Sequence, residues 1–72
     1  MKTHTISHTI IGTVEASLIR ETLSNSVERF IVEVRENEVI RLCVLFDTES
    51  EATDCYESAC RTATNKARKT SL

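Results

Sequence analysis

Residues 27–46 read VERFIVEVRENEVIRLCVLF, and this stretch decides the fold. In its first half the even positions Phe30, Val32 and Val34 are apolar, while Arg29, Glu33 and Arg35 between them are charged. Alternation with period two is the pattern of a strand with one face buried. In the second half Ile40, Leu42, Val44 and Phe46 continue the even series, but Val39, Cys43 and Leu45 are apolar as well and only Arg41 is charged. A strand apolar on both faces is expected at the centre of a sheet. A turn at Glu36-Asn37 would set Val32 against Arg41 and scramble the two faces. A three-residue loop centred on Asn37 sets Val34 opposite Ile40, Val32 opposite Leu42 and Phe30 opposite Val44, with Glu33 meeting Arg41 on the other face. Asn37 tolerates the left-handed backbone that such a loop needs.

Upstream, Ser24-Asn25-Ser26 is turn chemistry. Val14, Ala16 and Leu18 form an even apolar series opposed by Thr13, Glu15 and Ser17. A helix over 13–23 would scatter its apolar residues around the cylinder, so a strand is expected. Centring the second hairpin on Asn25 pairs Leu18 with Val32, Ala16 with Val34 and Arg20 with Phe30. On the opposite face it pairs Ile19 with Ile31, Glu15 with Arg35 and Glu21 with Arg29. The result is an antiparallel meander with residues 27–35 in the middle. It leaves Val39–Phe46 at an edge, in conflict with its central character, unless the N-terminal segment or a second subunit joins it.

At the N-terminus Ile6 and Ile10 alternate with Thr3, Thr5, Ser7 and Thr9, as in a strand or an extended arm, with His4 and His8 on the side of the isoleucines. Gly12, the only glycine, marks a bulge, a bend or a close backbone approach. After Phe46 the pattern changes. Thr48-Glu49-Ser50-Glu51 fits a capping box, and Ala52, Tyr56, Ala59, Ala63 and Ala67 then fall on one helical face. Acidic residues occupy the first half of this helix and basic residues the second, in the sense that complements the helix dipole. The predicted fold is α+β, one domain over residues 1–72. It comprises an arm or extra strand at 1–12, an antiparallel meander of three strands (four with the arm) at 13–46, and one helix at 48–70 packed on the even face.

Seventy-two residues with a formal charge of −2 supply no basic field for gathering nucleic acid. A core of this size rarely supplies more than about 3–5 kcal/mol, so self-association is expected. No long apolar run spans a membrane, the Thr-rich start is unlike a signal peptide, and Cys43, Cys55 and Cys60 make an odd count without CxxC spacing. Reduced thiols and a cytoplasmic location are the expectation. His4 and His8, four apart on a strand, are separated by ~13 Å, too far to share a metal. No nucleophile has a base beside it in sequence and no glycine loop cradles phosphate. A non-enzymatic protein without cofactor or metal is expected.

Two binding surfaces follow. On the odd face Ile19, Ile31 and Cys43 are expected to line up, with Leu45 nearby and charge pairs around them, as an interface for a homodimer or a protein partner. An open sheet edge beside them would allow a partner to add a strand. The second surface comes from a resemblance. Phe46-Asp47-Thr48-Glu49-Ser50-Glu51-Ala52, following the hairpin, resembles the strand-to-helix junction of the AP2-like, arm-type DNA-binding domain of phage integrases. That resemblance implies a sheet that enters the major groove, supported by a C-terminal helix, and it makes Arg61, Lys66, Arg68 and Lys69 candidate nucleic-acid contacts. The chain departs from that family where Arg29, Arg35 and Arg41 are each expected to face a glutamate and where Glu36 and Glu38 fall at the hairpin loop. In size, charge and architecture the chain also resembles small phage-encoded inhibitors such as anti-CRISPR proteins. That resemblance implies an adaptor or inhibitor that occupies a partner protein's surface, with Glu36, Glu38, Glu49, Glu51 and Asp54 as acidic contacts.

Overall fold

The computed structural model of the chain describes residues 2–70, apart from the side chains of Lys69 and Thr70. Four strands, β1 (Lys2–Ile11), β2 (Val14–Thr22), β3 (Glu28–Glu36) and β4 (Val39–Phe46), are followed by one helix, α1 (Glu49–Thr70). The strands form a single antiparallel sheet in the order β1-β2-β3-β4, and α1 packs on one face of it. The N-terminal segment is thus a fourth strand of the meander, an α+β architecture.

The β2–β3 register is the predicted one along its whole length: Leu18 faces Val32, Ala16 faces Val34, Ile19 faces Ile31. Its loop is closed by Ser26 N–H donating to the Leu23 carbonyl at 2.9 Å, with Ser26 taking the left-handed conformation (φ 66°). Of the charges set opposite one another across this ladder, Glu15 and Arg35 find nearer partners. Glu15 lies 3.1 Å from His8, and Arg35 turns along its own strand to Glu33 at 2.7 Å.

The β3–β4 register differs from the expected one. The turn has two residues, Asn37 and Glu38, both left-handed (φ 52° and 68°), as a turn matched to strand twist requires. Such a turn alone would scramble the faces. The chain corrects this with a β-bulge at Arg41, after which Val34 faces Leu42, Val32 faces Val44, Phe30 faces Phe46 and Ile31 faces Leu45. Even residues still meet even residues, but two places along from the expected pairs. Glu33 faces Cys43, and Arg41 reaches Glu36 instead, at 3.7 Å.

A second bulge, between Thr5 and Ser7, does the same to β1. Before it Thr5 faces Ile19, and after it Ser7 faces Leu18 and Thr9 faces Ala16. His4 and His8 therefore lie on opposite faces of the sheet, and of the isoleucines Ile6 reaches the core while Ile10 is exposed. Gly12 makes the bend to β2 with φ 61°, and a Cβ there would stand 3.9 Å from the Ala67 Cβ, an ordinary contact. The glycine is needed for its backbone conformation, with the helix close above it.

The core lies between the even face and α1: Ala16, Leu18, Phe30 and Val32 from β2 and β3, Ala52 and Tyr56 from the helix, with Ile6, Val34 and Phe46 partly buried around them. Val32 is wholly buried, a burial that stabilises the fold by roughly 1.5–3 kcal/mol. The helix starts at the expected cap, where Thr48 Oγ1 accepts the Glu51 N–H at 3.3 Å and donates to Glu51 Oε1 at 2.8 Å. Small side chains let it lie close to the sheet, and Tyr56 reaches across to β1, its hydroxyl 2.6 Å from Thr9 Oγ1. Burial holds the Tyr56 phenol above its usual pKa.

Candidate functional site

The helix packs mainly on β2 and β3 and reaches both outer strands, β1 at Thr9 and β4 at Phe46. No residue of either outer strand is buried, but the side chains left exposed on β4 are mostly apolar and those on β1 mostly polar. Val39 and Ile40 are each 52% exposed, Leu42 is 37% and Leu45 57%. Val39–Phe46 is therefore an outer strand with the composition of an inner one, and the N-terminal segment does not resolve this, because it pairs with β2 at the other side of the sheet.

A groove of about 400 Å³ runs along the junction of α1 and β4. Its floor is Val14, Val34 and Leu42, and its helical wall is Cys55, Ser58, Ala59 and Thr62. The wall is low because these side chains are small, so the floor stays open to solvent. Glu36, Arg41 and Lys66 close one end. There Glu36 accepts a hydrogen bond from Lys66 and lies 3.7 Å from Arg41. The Lys66 ammonium, with a smaller contribution from Arg41, holds the Glu36 carboxyl below the usual carboxylate range against the opposing effect of burial.

On the opposite, uncovered face Ile19 and Ile31 do line up, but the residue beside Ile31 is Leu45, with Thr5 at the other end of the row. Cys43 stands one row away, opposite Glu33, because of the two-residue displacement of β4. Ile19 and Ile31 are half-buried by their neighbours, and Leu45 and Cys43 are exposed. The apolar strip thus becomes more exposed toward β4 and merges with the exposed side chains of that strand.

The acidic candidates are not one patch. Glu36 and Glu38 sit at the β3–β4 turn beside the second half of the helix, whereas Glu49, Glu51 and Asp54 lie in its first two turns. The fifteen residues from Glu51 to Lys66, which holds Glu36, span about 22 Å at 1.5 Å each. Glu51 also serves the cap. The basic candidates are divided too. Lys66 is turned to Glu36, and Arg61 and Arg68 flank a shallow depression with Cys60, Thr64 and Asn65 along the helix. Lys69 belongs to the last turn, its side chain outside the described part.

Cys43, Cys55 and Cys60 are all unpaired thiols. Among the described residues no three His, Cys, Asp or Glu side chains come together in a way that could hold a metal ion, and no helix is long and apolar enough to cross a membrane. The groove was not among the surfaces expected from the sequence. The signal for the groove lay in the helix, where Cys55, Ser58 and Thr62 extend the alanine face sideways with small residues, next to Ala59. Compared with known proteins, the chain matches no protein-family model, no curated protein and no solved structure at a significant level.

Proposed function

We propose that this chain is a non-enzymatic protein-binding module whose working surface is the β4 margin, and that it acts as an adaptor or inhibitor by occupying a protein surface. The observation that carries this reading is an outer strand, Val39–Phe46, with one charged residue and no proline or lysine, whose apolar side chains are exposed on both sides of the sheet. Unpaired main-chain groups along such a strand are a template for another strand, and the groove above it and Leu45 below it receive alternate side chains of whatever pairs there.

Electrostatics favour a protein over a nucleic acid as the occupant. Of the nine Lys and Arg residues, Arg20, Arg35, Arg41 and Lys66 are engaged by Glu28, Glu33 and Glu36, and Glu38 projects at the hairpin turn. Phosphate neutralisation, the main source of affinity for DNA, is poorly supplied. The test is the solution mass by light scattering at low and high salt, with and without heterologous duplex DNA. The expected mass is indifferent to DNA at both salts. A complex that forms at low salt and dissolves at high salt would contradict this function and favour the integrase-like one.

A further inference from the structure

We infer that the occupant of β4 is a second copy of this chain, whose own β4 pairs antiparallel to the first about a two-fold axis close to Cys43, joining two four-stranded sheets into one of eight. This rests on the reading of β4 as the binding margin and adds the identity of what binds there.

The first reason is composition. A strand fitting beside β4 must be apolar on both faces, and among the described strands β4 alone has that character: β1 is mostly polar, and β2 and β3 carry charge on one face. A two-fold axis perpendicular to the sheet keeps each face with its like, so Leu42 and Val44 meet Val44 and Leu42 of the second copy on the helix side. Cys43 meets its own counterpart on the open side. Phe46 of the second copy then faces Ile40, diagonal to Leu42 at the mouth of the groove.

Charge selects the direction. The single cation of β4, Arg41, stands near its start, and Asp47 follows its end directly. Antiparallel pairing brings Arg41 of each copy toward Asp47 of the other, twice, whereas parallel pairing would set Arg41 beside Arg41.

The pairing is also self-limiting. Once the two β4 strands are joined, both outer edges of the eight-stranded sheet are β1, and β1 is polar along most of its length and bulged between Thr5 and Ser7. Charged or polar residues and bulges are how natural sheets stop edge-to-edge growth. A foreign strand on β4 would bring a new edge of its own.

Size sets the strength. At ~3.3 Å per residue β4 is roughly 26 Å long, and over the 16 Å thinnest extent of the molecule the contact strip is roughly 400 Å² per copy. That is about half the ~800 Å² per partner of a standard interface. Seven residues of each copy, 40–46, pair about Cys43 and add about seven main-chain hydrogen bonds, somewhat below the ~10 of a standard interface. The dimer is therefore reversible and concentration-dependent.

The experiment uses the full chain. Light scattering over a dilution series should show a mass near twice 8.1 kDa falling toward 8.1 kDa. Leu45→Lys should weaken association by roughly tenfold or more, because it puts a charge on each side of the axis. With Cys55→Ala and Cys60→Ala leaving Cys43 as the sole thiol, a short bifunctional thiol reagent should link two chains at concentrations where the dimer forms. In case those two helix substitutions unfold the chain, the unaltered protein is also followed by amide hydrogen exchange, in which β4 amides should gain protection with concentration. A monomer at all concentrations would overturn the second-copy occupant while leaving a protein-binding β4 margin in place. A dimer with neither Cys43 linkage nor β4 protection would overturn it too. A monomer that gains mass with duplex DNA would overturn both this inference and the function it rests on.

Discussion

β1 and β4 are the outer strands of one sheet, and they meet solvent in opposite ways. β1 is built from Lys, Thr, His and Ser with three isoleucines, it carries a bulge, and it is tied to the helix by the hydroxyl pair Thr9–Tyr56. β4 is apolar at every position but Arg41, its bulge leaves the rest of the strand regular, and its nearest helical neighbours are small side chains that cover little of it. One edge is guarded and the other is not. A uniform requirement for solubility would have guarded both. The difference is what the proposed protein contact at β4 rests on.

The comparison can be broken or sharpened by substitution. The largest expected effect lies beneath the helix. Phe30→Ala should cost about 3–5 kcal/mol in denaturant unfolding, comparable to what a core of this size supplies, and leave the chain unfolded. Leu45→Lys in the bare strand should change monomer stability by less than about 0.5 kcal/mol while altering association. If Leu45→Lys unfolds the monomer, β4 belongs to the core and the contrast between the edges fails.

Tyr56→Phe removes the tie to β1 and leaves Thr9 without its partner, at an expected cost of about 1 kcal/mol by thermal or denaturant unfolding. Hydrogen exchange should locate the loss in β1 and not in β4. Ile31→Arg, on the uncovered face one strand inward from Leu45, should leave the fold intact and weaken association less than Leu45→Lys. An equal effect would extend the contact surface across the sheet.

The smallest effect is one of pH. Glu36 has a carboxyl held below its usual pKa by Lys66, so its contribution is fully present above the unfolded value near 4.5 and is lost as pH falls through the lower folded value. Glu36→Gln should therefore lower the plateau above pH 4.5 slightly, leave the strongly acid end unchanged and so flatten the profile between them, as read by denaturant unfolding across pH.

Much of the fold was legible in the sequence because it rests on period and turn chemistry. Ser24-Asn25-Ser26 set the β2–β3 register residue for residue, Thr48-Glu49-Ser50-Glu51 set the helix start, and the alanines with Tyr56 set its buried face. The failures share one cause. A β-bulge inserts a residue without changing the appearance of an apolar run: the two-residue turn at Asn37-Glu38 displaced β4 by one place and the bulge at Arg41 by a second, and the bulge between Thr5 and Ser7 put His4 and His8 on opposite faces. For β4 the parity survived, which is why the residues expected inside were on the correct side even where their partners were not. The expected alignment of Cys43 with Ile31 failed for the same reason, and Leu45 took that place. The conflict between the apolar composition of Val39–Phe46 and its edge position was visible in the sequence from the start, and the structure sharpens it.

The most direct test of that contrast is amide hydrogen exchange on both edges in the same sample over a range of protein concentration. Protection of β4 amides should rise with concentration while that of β1 amides stays constant. Protection that is equal in the two strands and independent of concentration would contradict the assignment of β4 as the binding edge.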